Sequence, residues 1–250
     1  MSWFLLVAPL AAVLLFGGAM KLLRQRAARS VDSTPTPTAA APRPPEKNVE
    51  PESDIDEAAR HLNLGTELLA QGKLAEAVAE YRQAVKLNPE DEDMHYNLGL
   101  ALAKQGDREA AGKEYLEALR IYPDYTEAHN NLGNMLAADG KLDEASVHFR
   151  AALTIAPDNA AAHNNLGNAL ARQGKLLEAV PAFREAARLK PDYDEARCNL
   201  GNAQLTLGRL DEAVAEFTAV LKRTPDFAPA QRGLNRAIEL RTQQRPAPAP

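Results

Sequence analysis

Only one cysteine, Cys198, occurs in 250 residues, so no disulfide can close within the chain and packing alone must hold the fold. The arrangements that carry chemistry are also missing. There is no glycine loop that could cradle phosphate, no nucleophile elbow, and no His/Cys/Asp/Glu cluster at metal-ligand spacing. No catalytic residue, no cofactor and no metal are therefore expected, and the chain does not read as an enzyme. Excess positive charge is absent too: the chain carries −5 overall. Setting aside a basic block at 21–29 (+4) and residues 30–55 (−3) leaves −6 for residues 56–250, a balance that argues against nucleic acid as a partner.

What is present is a period. Gly65, Gly99, Gly133, Gly167 and Gly201 lie 34 residues apart, and so do Pro89, Pro123, Pro157, Pro191 and Pro225. Two residue types of opposite backbone character locked to one spacing mark a solenoid of stacked copies. With the first unit starting at Ala58, position 7 is always leucine (Leu64 to Leu200) and position 20 always alanine (Ala77 to Ala213). Position 24 is an aromatic ring: Tyr81, Tyr115, Phe149, Phe183 and Phe217. Apolar residues at 4, 7 and 11 share one helix face, and those at 20, 24 and 27 another. Between them Gly72, Gly106, Gly140, Gly174 and Gly208 stand where a first helix must stop. The proline ends the second helix, and the acid that follows it (Glu90, Asp124, Asp158, Asp192, Asp226) is expected to cap the next. Each unit is thus a helical hairpin that buries its apolar face only by stacking.

The pattern at positions 7, 8, 20, 24, 27 and 32 resembles the tetratricopeptide repeat over residues 58–227. The resemblance implies an all-α, right-handed superhelical solenoid of five hairpins. The units are 56–91, 92–125, 126–159, 160–193 and 194–227, with a polar capping helix at 228–243 and an unstructured tail at 244–250. Two departures stand out. Position 4 holds His61, His95, His129, His163 and Arg197 where the family has an aromatic, and these are expected to fill the same packing place. Four histidines one unit apart cannot share a metal, because packed helices stand about 10 Å apart and ligands only about 2 Å from their ion. Position 11 holds leucine four times and then Gln204. His148 lies outside any row and carries no message of its own.

In this family the first helices line the concave surface, with positions 2, 5, 6, 9, 12 and 13 pointing into it. Position 6 is asparagine in every unit (Asn63, Asn97, Asn131, Asn165, Asn199), and position 9 adds Asn134, Asn168 and Asn202. Asparagine both donates and accepts, so such a ladder can hold the backbone of an extended peptide without reading its sequence. The ladder resembles the asparagine-lined superhelix of O-GlcNAc transferase. The same residues could instead serve the repeat itself. Tyr96 and Leu100, with Leu62 and Leu69, are expected to make one end of the groove apolar; Lys104 and Arg172 supply its positive charge, and Cys198 is expected to line it. A clamp for a peptide carboxylate is not expected, since positions 2 and 5 hold no lysine or arginine.

Residues 2–20 contain no charge and, at about 1.5 Å per residue, would span roughly 28 Å as a helix, enough for a bilayer core. Lys21, Arg24, Arg26 and Arg29 follow at once, while no basic side chain precedes. That order favours an uncleaved anchor with the basic side, and everything after it, in the cytoplasm. If the segment is cleaved, the solenoid is periplasmic or secreted. Residues 30–55, with six prolines, read as a disordered tether. The function expected is a non-enzymatic adaptor, tethered to a membrane and holding an extended segment of a partner protein. Two alternatives stay open: a scaffold that self-associates through Tyr125, Tyr193 and Phe227, and a substrate-recognition subunit for a separate glycosyltransferase.

Overall fold

The computed structural model describes residues 53–244, which form eleven α-helices and no strand. The expected anchor, the basic block and nearly all of the tether fall outside the described residues. Among the described residues no helix is long and apolar enough to cross a membrane.

The helices follow the 34-residue frame. First helices occupy positions 1 to 13 or 14, apart from an earlier start in the first unit: α1 (Asp54–Ala70), α3 (Glu92–Gln105), α5 (Thr126–Ala138), α7 (Ala160–Arg172) and α9 (Asp194–Thr206). Second helices run from position 17 to 30: α2 (Leu74–Leu87), α4 (Arg108–Ile121), α6 (Leu142–Ile155), α8 (Leu176–Leu189) and α10 (Leu210–Arg223). The last described helix, α11 (Ala228–Gln244), takes the place of the first helix of a further unit. Each first helix packs against the second of its own pair, and each second helix against the first of the next.

Two local devices fix this geometry. At position 15 the glycine takes a left-handed φ, between 75° and 97°, which an L side chain rarely adopts. That turn lets the next N–H return to the carbonyl at position 11, as in Lys141 to Leu136 at 2.9 Å and Lys175 to Leu170 at 2.9 Å. At position 8 a missing Cβ matters instead. A Cβ on Gly133 would stand 2.7 Å from the Phe149 ring, and one on Gly167 2.6 Å from that of Phe183. The position-24 ring therefore lies flat against the first helix and is almost completely buried in every unit.

The helix caps differ from expectation. The acid directly after the proline sits in the turn, and the cap is one residue later. Asp91 accepts from the amides of Asp93 (3.0 Å) and Met94 (3.3 Å), and Asn159 from that of Ala162 (3.0 Å). Tyr125 and Tyr193 occupy the same place without a capping bond from their side chains.

Successive first helices touch at α1/α3, α5/α7, α7/α9 and α9/α11, whereas second helices make no comparable contact with each other. The stack is therefore tighter on the side of the first helices, and that side is concave. One end of the leucine row shows what stacking does: Leu64 is 44 % exposed, while Leu98, Leu132 and Leu200 are at 3 % or less.

Candidate protein-interaction groove

The asparagine row lies on this inner side, and half of it (Asn131, Asn165, Asn168, Asn199) is tied between units. Position 6 donates through its amide to position 5 of the preceding unit. Asn131 Nδ2 bonds the Tyr96 hydroxyl (3.1 Å), Asn165 Nδ2 bonds Asn130 Oδ1 (3.2 Å), and Asn199 Nδ2 bonds Asn164 Oδ1 (3.0 Å) and Asn168 Oδ1 (3.2 Å). In the second unit Asn97 Nδ2 turns back to the Asp93 carbonyl of its own helix (2.7 Å). Asn63 and Asn134 are exposed, and Asn168 and Asn202 half-buried. Along its middle the row is thus a zipper between units, with four of the eight amides donating within the stack. The position-5 partners Asn130 and Asn164 were not singled out from the sequence. Their signal was the doubled asparagine at 130–131 and 164–165, where Asn165, the second of its pair, reaches Asn130, the first of the pair before it.

Of the four residues expected at the apolar end, Leu62 and Tyr96 stay partly exposed and two do not. Leu100 is 4 % exposed and Leu69 7 %, both inside the core, because the stack closes over them. Tyr96 is half-buried between the rings of Tyr125 (4.9 Å) and Tyr115 (6.0 Å). Burial, helped by the charges of Glu127 and Asp93, pushes its phenol up to about 12 against the Asn131 bond. Arg172 also differs from expectation: its guanidinium donates to the Ala137 carbonyl (2.6 Å) at the C-terminus of α5, where the helix dipole favours a cation. Lys104 is exposed. Cys198 does not line the groove. It is 3 % exposed, and burial, with Asp194 and Glu195 nearby, raises the thiol to about 12, so it stays protonated and inert.

The residues at unit ends are likewise occupied. The Tyr125 hydroxyl donates to Asp93 (2.7 Å), the Tyr193 hydroxyl accepts from Asn164 (3.2 Å), and Phe227 packs on the core of the fifth unit.

The position-4 histidines do more than fill space. Nε2 of His95, His129 and His163 meets the carbonyl of the preceding unit's proline at 3.0, 3.0 and 2.9 Å. The other ring nitrogen reaches position 23 across the hairpin: His61 to Glu80 (2.6 Å) and His95 to Glu114 (2.7 Å), with Arg197 to Glu216 (3.0 Å) as the fifth-unit equivalent. The third unit replaces this acid by His148, whose Nδ1 stands 3.0 Å from Nδ1 of His129. Burial, then the neighbouring His129, lowers the pKa of His148. His148 is therefore not isolated, as its sequence position suggested.

A family model described as "TPR repeat" matches residues 65–106, 101–140 and 133–174, and one described as "Tetratricopeptide repeat" matches 164–229 and 198–239. No curated protein matches the chain. Among solved structures, the chain is similar to MamA 41-end from Desulfovibrio magneticus RS-1, at 25 % identity and a TM-score of 0.64, covering 68 % of this chain and 98 % of that one. It shares its fold with YrrB, described as a TPR protein with an unusual peptide-binding site (21 % identity, TM-score 0.62, 71 % of this chain and 91 % of that one). PilF of Pseudomonas aeruginosa shares it too (18 %, 0.61, 77 % and 100 %). Repeats of this kind are in general non-catalytic scaffolds for protein–protein interaction. With its period, its buried ring-on-glycine hairpins and matches that run from residue 65 to 239, this chain belongs to the tetratricopeptide repeat family.

Proposed function

We propose that the protein is an adaptor, held at a membrane by residues 2–20, whose concave face grips an extended segment of a partner protein on the cytoplasmic side. One observation carries the groove reading: Asn131, Asn165 and Asn199 direct their side-chain amides to the preceding unit, and their own Oδ1 atoms accept no bond within the stack. These three therefore offer a ligand their side-chain oxygens as acceptors. An extended backbone, which presents its own N–H groups at regular intervals, fits such a row. Asp93, Glu127 and Glu195, all at position 2, add negative charge along the same side, so donor-rich segments are favoured over acidic ones. Five hairpins and a half-unit cap give the row its length, and tethering raises the local concentration of whatever it holds.

The test is site-specific photo-crosslinking from position 134 in the full-length protein in its own membrane. Asn134 is exposed and makes no bond in the zipper, so replacing it leaves the stack intact. One dominant adduct, mapped to an extended segment, supports the adaptor. Adducts spread evenly over unrelated proteins, or none, count against it. Protein recovered without Met1 and Ser2 would remove the anchor. Self-association through Tyr125, Tyr193 and Phe227 is not favoured, because all three are engaged in the stack.

A further inference from the structure

Two units depart from the cross-hairpin bridge: the fourth, where Ala182 stands at position 23, and the third. In the first, second and fifth units a base on the first helix meets an acid on the second; in the third two imidazoles face each other, one from α5 and one from α6. The bonding pattern fixes their protons. His129 Nε2 lies 3.0 Å from the Pro123 carbonyl and must donate to it, so the Nδ1 of the neutral ring carries a lone pair. His148 Nδ1 then donates to that lone pair. We infer that His129 and His148 form a binding site for a borderline divalent transition-metal ion, the zinc class, which bridges α5 and α6.

Three features support this. First, the separation fits. Two nitrogens each about 2.0–2.1 Å from zinc are about 3.3 Å apart at a tetrahedral angle and about 2.9 Å apart at a right angle; the observed distance is 3.0 Å. Second, His129 already has the support that a ligating histidine usually has, its far N–H held by a backbone carbonyl. Third, the rings are half-buried rather than sealed in the core, so an ion can reach them and water can complete its shell. Among the described residues no group of three or more histidine, cysteine or acidic side chains gathers to hold an ion, so the remaining positions belong to water. The carboxylate of Glu144, one turn before His148 on α6, acts on His148 through its charge. On binding, the His148 ring proton moves from Nδ1 to Nε2, and both Nδ1 lone pairs turn to the metal. No proton leaves the pair. Imidazole donors suit zinc, copper and nickel over magnesium or calcium.

Zinc chloride added to the full-length chain, followed by equilibrium dialysis and by the melting temperature, tests the site. The cap supplies a conservative variant: Gln231 stands at position 4 of the half-unit and bonds the Pro225 carbonyl through Nε2 (2.7 Å), as the histidines do. His129→Gln thus keeps the structural bond and removes the ligand. One saturable zinc site is expected, with a melting temperature that rises with zinc concentration. His129→Gln and His148→Gln should each weaken binding at least tenfold, while His163→Gln leaves it unchanged. Wild-type affinity in His129→Gln or His148→Gln, loss in His163→Gln, or no saturable binding below millimolar zinc would each overturn the site. Circular dichroism of the variants separates loss of the ligand from loss of the fold, and none of these outcomes bears on the groove.

Discussion

Gln204 shows how a single position interrupts a periodic core. It takes the place that leucine holds in the four earlier units, it is 4 % exposed, and its Oε1 finds no hydrogen-bond partner. A buried acceptor left unpaired costs about 1–3 kcal/mol. Gln204→Leu should therefore stabilise the protein by about 1–2 kcal/mol, read as a shift in denaturant midpoint at unchanged slope. A decrease would mean that the amide serves a contact the stack needs. His95 makes a second residue-scale case. Burial works against its imidazolium, but the Glu114 bond and charge, with the Pro89 carbonyl, outweigh it and raise the pKa above 6.5. A raised histidine contributes stability that is fully present below the unfolded value near 6.5 and is lost as pH rises through the folded value. The stability difference between wild type and His95→Gln should accordingly be larger at pH 5.5 than at pH 8, measured by denaturant titration at both. Equal differences at the two pH values would mean that the Glu114 bond does not favour the charged ring.

At the scale of helices, the hairpins were largely legible because each rule acts within one unit. Glycine at 15 stops a helix, proline at 32 stops the next, and glycine at 8 admits a ring sixteen residues on. What escaped was set by pairs that the period does not announce. The acid after proline has the right chemistry for a cap, yet the two-residue turn delays the helix by one position, so Asp91 and Asn159 cap instead. Leu100 looked groove-facing by position, but side chains between neighbouring first helices are covered where the stack closes. His148 was unreadable because its partner lies nineteen residues back across a turn, and only one unit has it. The second helix of the fourth unit carries a further irregularity, Pro181 in the interior of α8. Its ring removes the backbone bond that an N–H there would make to Leu177, and it lines a shallow cleft of about 350 Å³ with Leu153, Leu166 and Leu170. Pro181→Ala should raise stability by up to about 3 kcal/mol, less the entropy that proline removes from the unfolded chain. A loss on thermal melting would show that the cleft depends on the ring.

Across the whole molecule, stability is a chain of nearest-neighbour terms, and its ends are unequal. The ring of Phe217 lies between Gly201 of its own hairpin and Gly233 of α11; a Cβ on Gly233 would stand 2.4 Å from it. The last half-unit is thus the second wall of that ring's pocket. Ending the chain at residue 227 should uncover Phe217 and loosen the fifth unit before any other. Hydrogen exchange would show protection lost first in residues 194–223 and only later upstream. Uniform loss along the stack would argue that the units melt as one block.

The same contacts recur at the junctions: amide at 6 to side chain at 5 in three of them, and ring at 4 to proline carbonyl in three, two junctions having both. This makes the chain tolerant of editing in one currency only. Excising 126–159 would bring Asn165 to Tyr96 and His163 to Pro123, each a pairing of a kind already in use. A cut one residue shorter or longer would instead rotate every downstream side chain by about 100° around its helix and leave none of those pairs in reach. Length in this lineage can change by whole units and hardly otherwise, so its groove can be resized in evolution without being redesigned.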